Sequence, residues 1–315
     1  MPTTSAGRRR RSWTTVAGRA FAVAALLMAA ATPHAQQAPL SAVTMSADDT
    51  SALLARVKRG LIRDRELEAQ YTYLEKRRDV RVSKLGRVSL GDVRTFEVYP
   101  SVEPGRTYKR LVAINDTPLP AAELAKRDAD HRARLEADAR RLASETPAQR
   151  QAREARTQAR LARQRREVDE TFDSYHYVVE GRELLAGHAR PLLRLRMTPR
   201  RDYRPTSKND FVKYARKFAG HAWVDEADGQ VVRIRLEAIE PVTVGLGIVG
   251  RVHKGSVATF ERRKVNDEVW LPWRARLDVT GRVALFRSFD IETETTWWDY
   301  RKFSVETTVV DVRER

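Results

Sequence analysis

Apolar positions along this chain follow two periods in turn. Between residues 47 and 68, Leu53, Leu54, Val57, Leu61 and Ile62 recur at helical steps and mark one face of an amphipathic helix. Ser46-Ala47-Asp48-Asp49 just before them is an acidic helix start, since carboxylates complement the positive end of the backbone dipole. From Tyr71 the period becomes two. The stretches "YTYLEKRRDVRVS" (71–83), "VRTFEVYP" (93–100) and "RTYKRLVAI" (106–114) alternate aromatic or β-branched residues with charged ones and are separated by glycines and prolines. They predict three antiparallel strands.

A charged, glycine-free segment, residues 118–170, then interrupts the sheet. Pro120 suits a first helical turn, and Ser144-Glu145-Thr146-Pro147 offers a second start in which Thr146 caps and Gln149 answers it. The pattern predicts a helical hairpin at about 118–170. In its second arm Ala148, Ala152, Ala155, Ala159 and Ala162 recur at four-three spacing, which permits close packing against a neighbour. Arg150, Arg153, Arg156, Arg160 and Arg163 run along an adjacent face.

Strand patterns resume at 174–184, 192–198, 221–239, 256–265, 266–279 and 282–297, with a short one expected after Phe303. Asp228-Gly229 marks a hairpin turn inside 221–239, and Asn266-Asp267 a turn before "VWLPWRARLDV". In that last stretch strict alternation places Trp273, Ala275, Leu277 and Val279 on one face and Arg274, Arg276 and Asp278 on the other. Roughly ten strands, an N-terminal helix and an inserted helical hairpin predict an α+β fold around one large, curved antiparallel sheet. The absence of a linker or long repeat makes residues 36–315 one domain.

The N-terminus changes the compartment. Arg8 to Arg11 form a charged region, Ala20 to Ala31 an uncharged apolar one, and "ATPHAQQA" suits cleavage near Ala35. Residues 1–35 therefore read as a signal peptide, and the apolar run is too short for a membrane span. Export is expected to the periplasm, with association to a membrane surface left open. Arg10-Arg11 followed by Ser12-Trp13 leaves Sec and twin-arginine export both open. Removing residues 1–35 removes five arginines and no acid, which lowers the net charge from +17 to +12. Such a field favours anionic partners, lipid headgroups or an acidic envelope protein. Export argues against nucleic acid. No cysteine is present, so the chain carries neither disulfides nor an acylated cysteine.

Candidate chemistry is sparse. The mature histidines His131, His176, His188, His221 and His253 show no ligand spacing, no glycine-rich phosphate loop follows a strand, and no G-x-S-x-G elbow occurs. Acid pairs such as Glu292 and Glu294 fall on the polar face of a strand. The reading is of a protein that is not an enzyme and uses no cofactor or metal. Three features remain for binding. The first is the aromatic set, which is either core or the lining of an apolar cavity; Trp223, Trp270, Trp273, Leu277, Phe289 and Ile248 are the candidate cavity residues. The second is "VTVGLGIVGRV" (242–252), a buried strand or helix, or else a lid or membrane-touching loop beside Arg251, His253 and Lys254. The third is the arginine stripe Arg150, Arg153, Arg156, Arg160 and Arg163, either a solvated face or a contact for an anionic surface.

The helix leading into "YTYLE", the repeated strands, "WVDEADGQVVRI", "RKVNDEVWLP" and the later "DYRKF" together resemble the outer-membrane lipoprotein-sorting proteins, the LolA/LolB-like superfamily, and more narrowly a branch of bacterial envelope proteins related to it. The resemblance covers about residues 47–303 apart from the charged hairpin, and Trp223-Val224-Asp225 followed by Asp228-Gly229 is its most telling element. It implies an unclosed, half-open β-barrel whose concave side is covered by helices and whose interior holds the acyl chains of lipids or lipoproteins without a cofactor. The family arginine that holds the carrier closed has no assignable counterpart. The same fold also implies an alternative, a regulator of envelope stress like the RseB/MucB proteins, here an interaction module that takes an acidic partner through the basic hairpin.

Overall fold

A computed structural model of the chain describes residues 40–83, 87–101, 107–207, 209–244, 250–283 and 287–303. The signal-peptide reading, Ile248 and the strand expected after Phe303 lie outside the described residues.

Helix α1 (Ala47–Glu68) is capped by Ser46, whose hydroxyl accepts from the Asp49 amide at 3.0 Å. Strands β1 (Tyr71–Val82), β2 (Val88–Tyr99), β3 (Tyr108–Ile114) and the short β4 (Thr117–Pro118) follow. Asn115 and Asp116 take positive φ in the tight turn between β3 and β4, a conformation these two residue types tolerate. The insertion forms α2 (Ala121–Ala143) and α3 (Pro147–Asp173). Thr146 caps α3 with the full reciprocal box to Gln149, and Pro147 opens it.

Past the insertion run β5 (Tyr175–Glu183), β6 (Leu192–Pro199), the one-turn α4 (Asp210–Tyr214) and a 3₁₀ turn (Ala215–Lys217). The chain ends in β7 (Phe218–Asp225), β8 (Gln230–Ala238), β9 (Val242–Val244), β10 (Gly250–Val252), β11 (Val257–Val265), β12 (Val269–Val283) and β13 (Arg287–Lys302). The hairpin turns at Gly229 and at Asn266-Asp267 sit where positive φ is found.

All pairings are antiparallel, and the 13 strands make one sheet that does not close, in the order β4-β3-β2-β1-β13-β12-β11-β8-β7-β6-β5. β10 joins through β12 and β9. Three short strands, β4, β9 and β10, extend the roughly ten read from the sequence. The run 242–252 supplies β9 and β10 around residues outside the description. Among the described residues no helix is long and apolar enough to cross a membrane.

Strand register assigns a continuous face to the sheet. Leu193 and Leu195 of β6, Ala222 and Val224 of β7, Ile234 and Leu236 of β8, Ala258 and Phe260 of β11, and Ala275, Leu277 and Val279 of β12 are linked across by pairing or alternation. The same face continues through Ile291, Thr293 and Trp297 of β13 to Tyr73 and Glu75 of β1 and Phe96 of β2. Helix α1 lies on it: Leu53 and Val57 pack against Leu193, Leu195, Val224 and Val231. The opposite face carries the charges that the alternation places there, in cross-strand pairs such as Arg233–Glu261 (2.5 Å) and Arg274–Glu294 (3.0 Å).

The two arms of the insertion end on different parts of this frame. Arg110 of β3 holds Asp128 of α2 through two bonds of 2.9 Å on the charged face. At the other end of the insertion, Lys58 of α1 pairs with Asp169 (3.3 Å) and Asp173 (3.2 Å) of α3. Sheet order puts β3 near one end and β5, which α3 leads into, at the other. The helices thus link the two ends of the open sheet. The close packing expected for the alanine stripe is not found: Ala148, Ala152, Ala155, Ala159 and Ala162 are exposed. Thr157, Leu161 and Gln164 are half-buried instead, so the inward face of α3 is the mixed polar one.

Candidate functional site

The helix-bearing face has a covered half and a less covered half. Where α1 docks, a polar lock is built into the apolar contact. Asp64 of α1 and Arg262 of β11 are both buried and meet at 2.7 Å. Arg262 also donates to Gln230 Oε1 (3.1 Å) and to the Trp270 carbonyl (2.5 Å), so its charge is enclosed by acceptors. Burial pulls Arg262 below the ordinary arginine value against the raising effect of Asp64. Gly60 makes this approach possible, because a Cβ there would stand 2.4 Å from Gln230 Nε2.

One turn further, Glu68 closes the helix. Burial pushes its carboxyl above the usual glutamate value, outweighing the opposing effects of Arg65, Arg262, Lys109 and the Tyr73 hydroxyl. The negative end of the α1 dipole acts in the same direction as burial. Glu68 is nonetheless only half-buried by exposure, as befits a side chain in a recess rather than in solid core. Tyr73 and Tyr300 stand near it, their rings 5.1 Å apart, and Tyr300 donates to the Pro272 carbonyl at 2.6 Å.

From β8 and β11 across β12 and β13 to β1, β2 and β3, the helix-bearing face is aromatic and aliphatic with one polar island. Phe260 and Trp297 make an edge-to-face pair at 6.4 Å, and both are half-buried, as are Leu277, Ile234 and Phe289. The island is Glu75, 4% exposed. Its Oε2 accepts from Lys109 Nζ at 2.5 Å and from Trp297 Nε1 at 3.2 Å, and Arg77 approaches its Oε1 at 3.4 Å. The Arg77 guanidinium lies 5.0 Å from the Phe96 ring centroid.

The candidate cavity residues do not form one group. Trp223 and Trp270 share a buried cluster with Leu185, Leu192 and Val232. Trp223 falls between Ala222 and Val224, which pack on the helix-bearing side, so alternation turns its ring to the charged face. There it lies between Arg194 (5.8 Å) and Arg233 (5.7 Å), and its Nε1 donates to Glu183 at 2.9 Å. Trp270 donates to Asp228 at 2.8 Å. Trp273 is 39% exposed because it is the extra residue where the register slips: Arg262 faces Pro272 and Glu261 faces Arg274. Leu277 and Phe289 lie on the helix-bearing face, Phe289 with its ring over Gly281, where a Cβ would meet it at 2.3 Å.

In the arginine stripe, Arg150, Arg156 and Arg163 are exposed, whereas Arg153 pairs with Glu145 at 2.9 Å and Arg160 is half-buried. Glu292 and Glu294 lie on the charged face as read, Glu294 paired with both Arg274 and Arg276. On that same face, at the foot of α2, a cleft of about 470 Å³ is lined by Tyr99, Tyr108, Arg110, Asp128, His131 and Arg132. Its polar groups are already engaged with one another, Arg110 with Asp128 and with Glu97 (2.9 Å), and Tyr108 stacks on His131 at 3.8 Å.

Sequence reading missed Glu75, Arg77 and Lys109, and with them Asp64 and Arg262. A signal was present in "YTYLEKRR": Glu75 and Arg77 share the parity of Tyr71 and Tyr73, so charge intrudes on the aromatic side of the strand. Asp64 likewise belongs to the apolar stripe, four residues before Glu68 and seven after Val57. No family model, curated protein or solved structure matches the chain.

Proposed function

We propose that this protein is an exported carrier that holds the acyl chain of a lipid or lipoprotein against the helix-bearing face of its sheet, with that face curved into a half-open barrel. The observation that carries the reading is the half-burial of Phe260, Trp297 and Leu277 on one continuous face whose other end is sealed by α1. Large apolar side chains left half-covered beside a packed core are what an acyl chain needs, because each buried methylene contributes about 0.8 kcal/mol and no reactive group is required. About ten buried methylenes would give on the order of 8 kcal/mol before the cost of ordering the chain. In this reading the carrier works without a cofactor and without catalysis.

The test is direct. The chain from Gln36 is purified, and co-purifying lipid is measured by native mass spectrometry and after extraction into organic solvent. The expected result is a stoichiometric acyl species that disappears in Leu277→Asp protein with an unchanged far-ultraviolet spectrum. Lipid-free protein that also refuses added acyl probes sinks the proposal.

A second reading, an envelope interaction module, is favoured by a separate observation: the alanine face of α3 and Arg150, Arg156 and Arg163 beside it are all exposed. A helix surface with small residues and unscreened positive charge suits an acidic helical partner. It predicts capture of such a partner by the intact chain and loss of capture when the distal hairpin is removed; capture that persists after removal rejects it.

A further inference from the structure

The polar island on the aromatic face bears on which amphiphile would be held there, and the inference rests on the carrier reading. Glu75, Arg77 and Lys109 come from β1 and β3 and meet on the helix-bearing face, where their neighbours are Phe96, Tyr73 and Trp297. One carboxylate is shared by two cations, 3.4 Å from Arg77 and 2.5 Å from Lys109. These three groups sum to +1, while the nearby Glu68, which Lys109 also reaches, is pushed by burial towards its neutral form. The carboxylate is sealed, with 5% of its side chain exposed, whereas Arg77 and Lys109 are 37% and 36% exposed. The buried member thus anchors the cations and the cations face outward. Two atoms of the island also stay without a hydrogen bond among the described residues although both are buried, Glu75 Oε1 and Arg77 Nε. Of the two, Arg77 Nε is a donor that an oxyanion would satisfy, whereas Glu75 Oε1 is an acceptor already faced by the Arg77 charge at 3.4 Å.

We propose that Lys109 and Arg77 form an oxyanion anchor, so that the ligand is an anionic amphiphile whose carboxylate or phosphate rests on these two cations while its chain runs over Trp297 and Phe260. Three physical points support the assignment. The two cations are exposed enough to be reached, and a charge-assisted bond to an oxyanion beside aromatic rings is stronger than one in open water. Glu75 fixes the Lys109 ammonium in place, with Trp297 Nε1 donating to the same oxygen, so little side-chain freedom remains to be lost on binding. The Trp297 ring that touches the anchor is also the ring that meets Phe260, which makes the polar and apolar parts of the site contiguous.

The experiment compares three ligands of one chain length on the chain from Gln36: palmitate, 1-palmitoyl lysophosphatidate and the uncharged monopalmitoylglycerol, each displacing a fluorescent acyl probe. The anchor predicts that one or both anions bind about ten- to hundredfold more tightly than the neutral lipid, the range supplied by a charge-assisted bond. The order of palmitate and lysophosphatidate then names the head as carboxylate or phosphate. Lys109→Met and Arg77→Met should each shrink the ratio of anionic to neutral affinity, and Lys109→Arg should restore it. Equal affinity for anionic and neutral lipids in the unaltered protein overturns the anchor and leaves the carrier reading standing, a result that needs no variant to fold. A preference that survives both methionine substitutions also overturns it. Failure of all three lipids to bind overturns the carrier reading and the anchor together.

Discussion

Glu68 shows how one side chain records the environment of the recess it occupies. Burial raises its carboxyl from an ordinary value near 4.5, so the folded protein holds the proton more tightly than the unfolded chain does. Such a group is harmless while it is protonated in both states. As pH rises through the ordinary glutamate value the unfolded chain ionises first, and stability falls until the folded carboxyl ionises too. Glu68→Gln keeps the shape and removes the charge, so it should raise the urea midpoint at pH 7 and lose that advantage near pH 4. A variant that is no more stable at pH 7 than the parent would show that Glu68 is solvated like a surface acid. Glu170 behaves in the opposite way: burial pushes it up, but bonds from the Thr206 hydroxyl and the Ser207 and Thr206 amides more than offset this and leave it lowered. None of this was legible in the sequence, where Glu68 and Glu170 look like any other acid in a charged helix. The partners of Glu68 include Arg262 of β11 and Lys109 of β3, those of Glu170 lie in the 206–207 segment, and no periodicity encodes those distances.

At the scale of elements, the patterns that depend on near neighbours were readable and those that depend on distant ones were not. The helix start at Ser46–Asp49, the Thr146–Gln149 box and the Asn266-Asp267 turn are each settled within four residues, and each is found where the sequence put it. The face of Trp223 follows from alternation once the strand is known, yet only the packing of Ala222 and Val224 says which face bears α1. Trp273 fails for a different reason: a single slipped register moves it out of the row that strict alternation gave it. The docking of α1 depends on a pair separated by 198 residues, Asp64 and Arg262, and its energetics are testable as a unit. Removing one member leaves the other charged and enclosed, so Asp64→Asn or Arg262→Met should each destabilise by about 3–5 kcal/mol. Replacing both at once removes the orphaned charge along with the attraction, and the double variant should recover a large part of that loss. Chemical denaturation of the two single variants and the double one measures the coupling; additive losses would mean that the pair does not act as a lock on α1.

For the whole molecule, the question is what the insertion contributes to a sheet that stays open. Its two helices are about 35 and 40 Å long, far more than is needed to pass from β4 to β5. Among the described residues, anchors are seen towards their outer ends: α2 through Asp128 to Arg110 of β3, and α3 through Asp169 and Asp173 to Lys58 and through Arg165 to Glu66 of α1. The last turns of α3 carry further duties, since Glu170 accepts the Thr206 and Ser207 amides at 3.0 and 2.8 Å and Glu167 accepts from Asn209 at 3.1 Å. Between these anchors Arg140–Glu136, Arg141–Asp138 and Arg153–Glu145 stay inside the hairpin. Stability and lipid retention should therefore reside in the two ends, and any partner contact in the middle. Replacing residues 132–164 by a flexible Gly-Ser linker is expected to shift the melting temperature little and to leave acyl binding intact, because lengthening or loosening a surface connection costs little. Extending the excision through Asp173 should lower the melting temperature sharply, as α1 loses Lys58's partners and the 206–209 segment loses its carboxylates. Differential scanning calorimetry with an acyl-probe titration on both deletions separates the two roles, and a collapse on removing 132–164 alone would mean that the distal arms brace the open sheet after all.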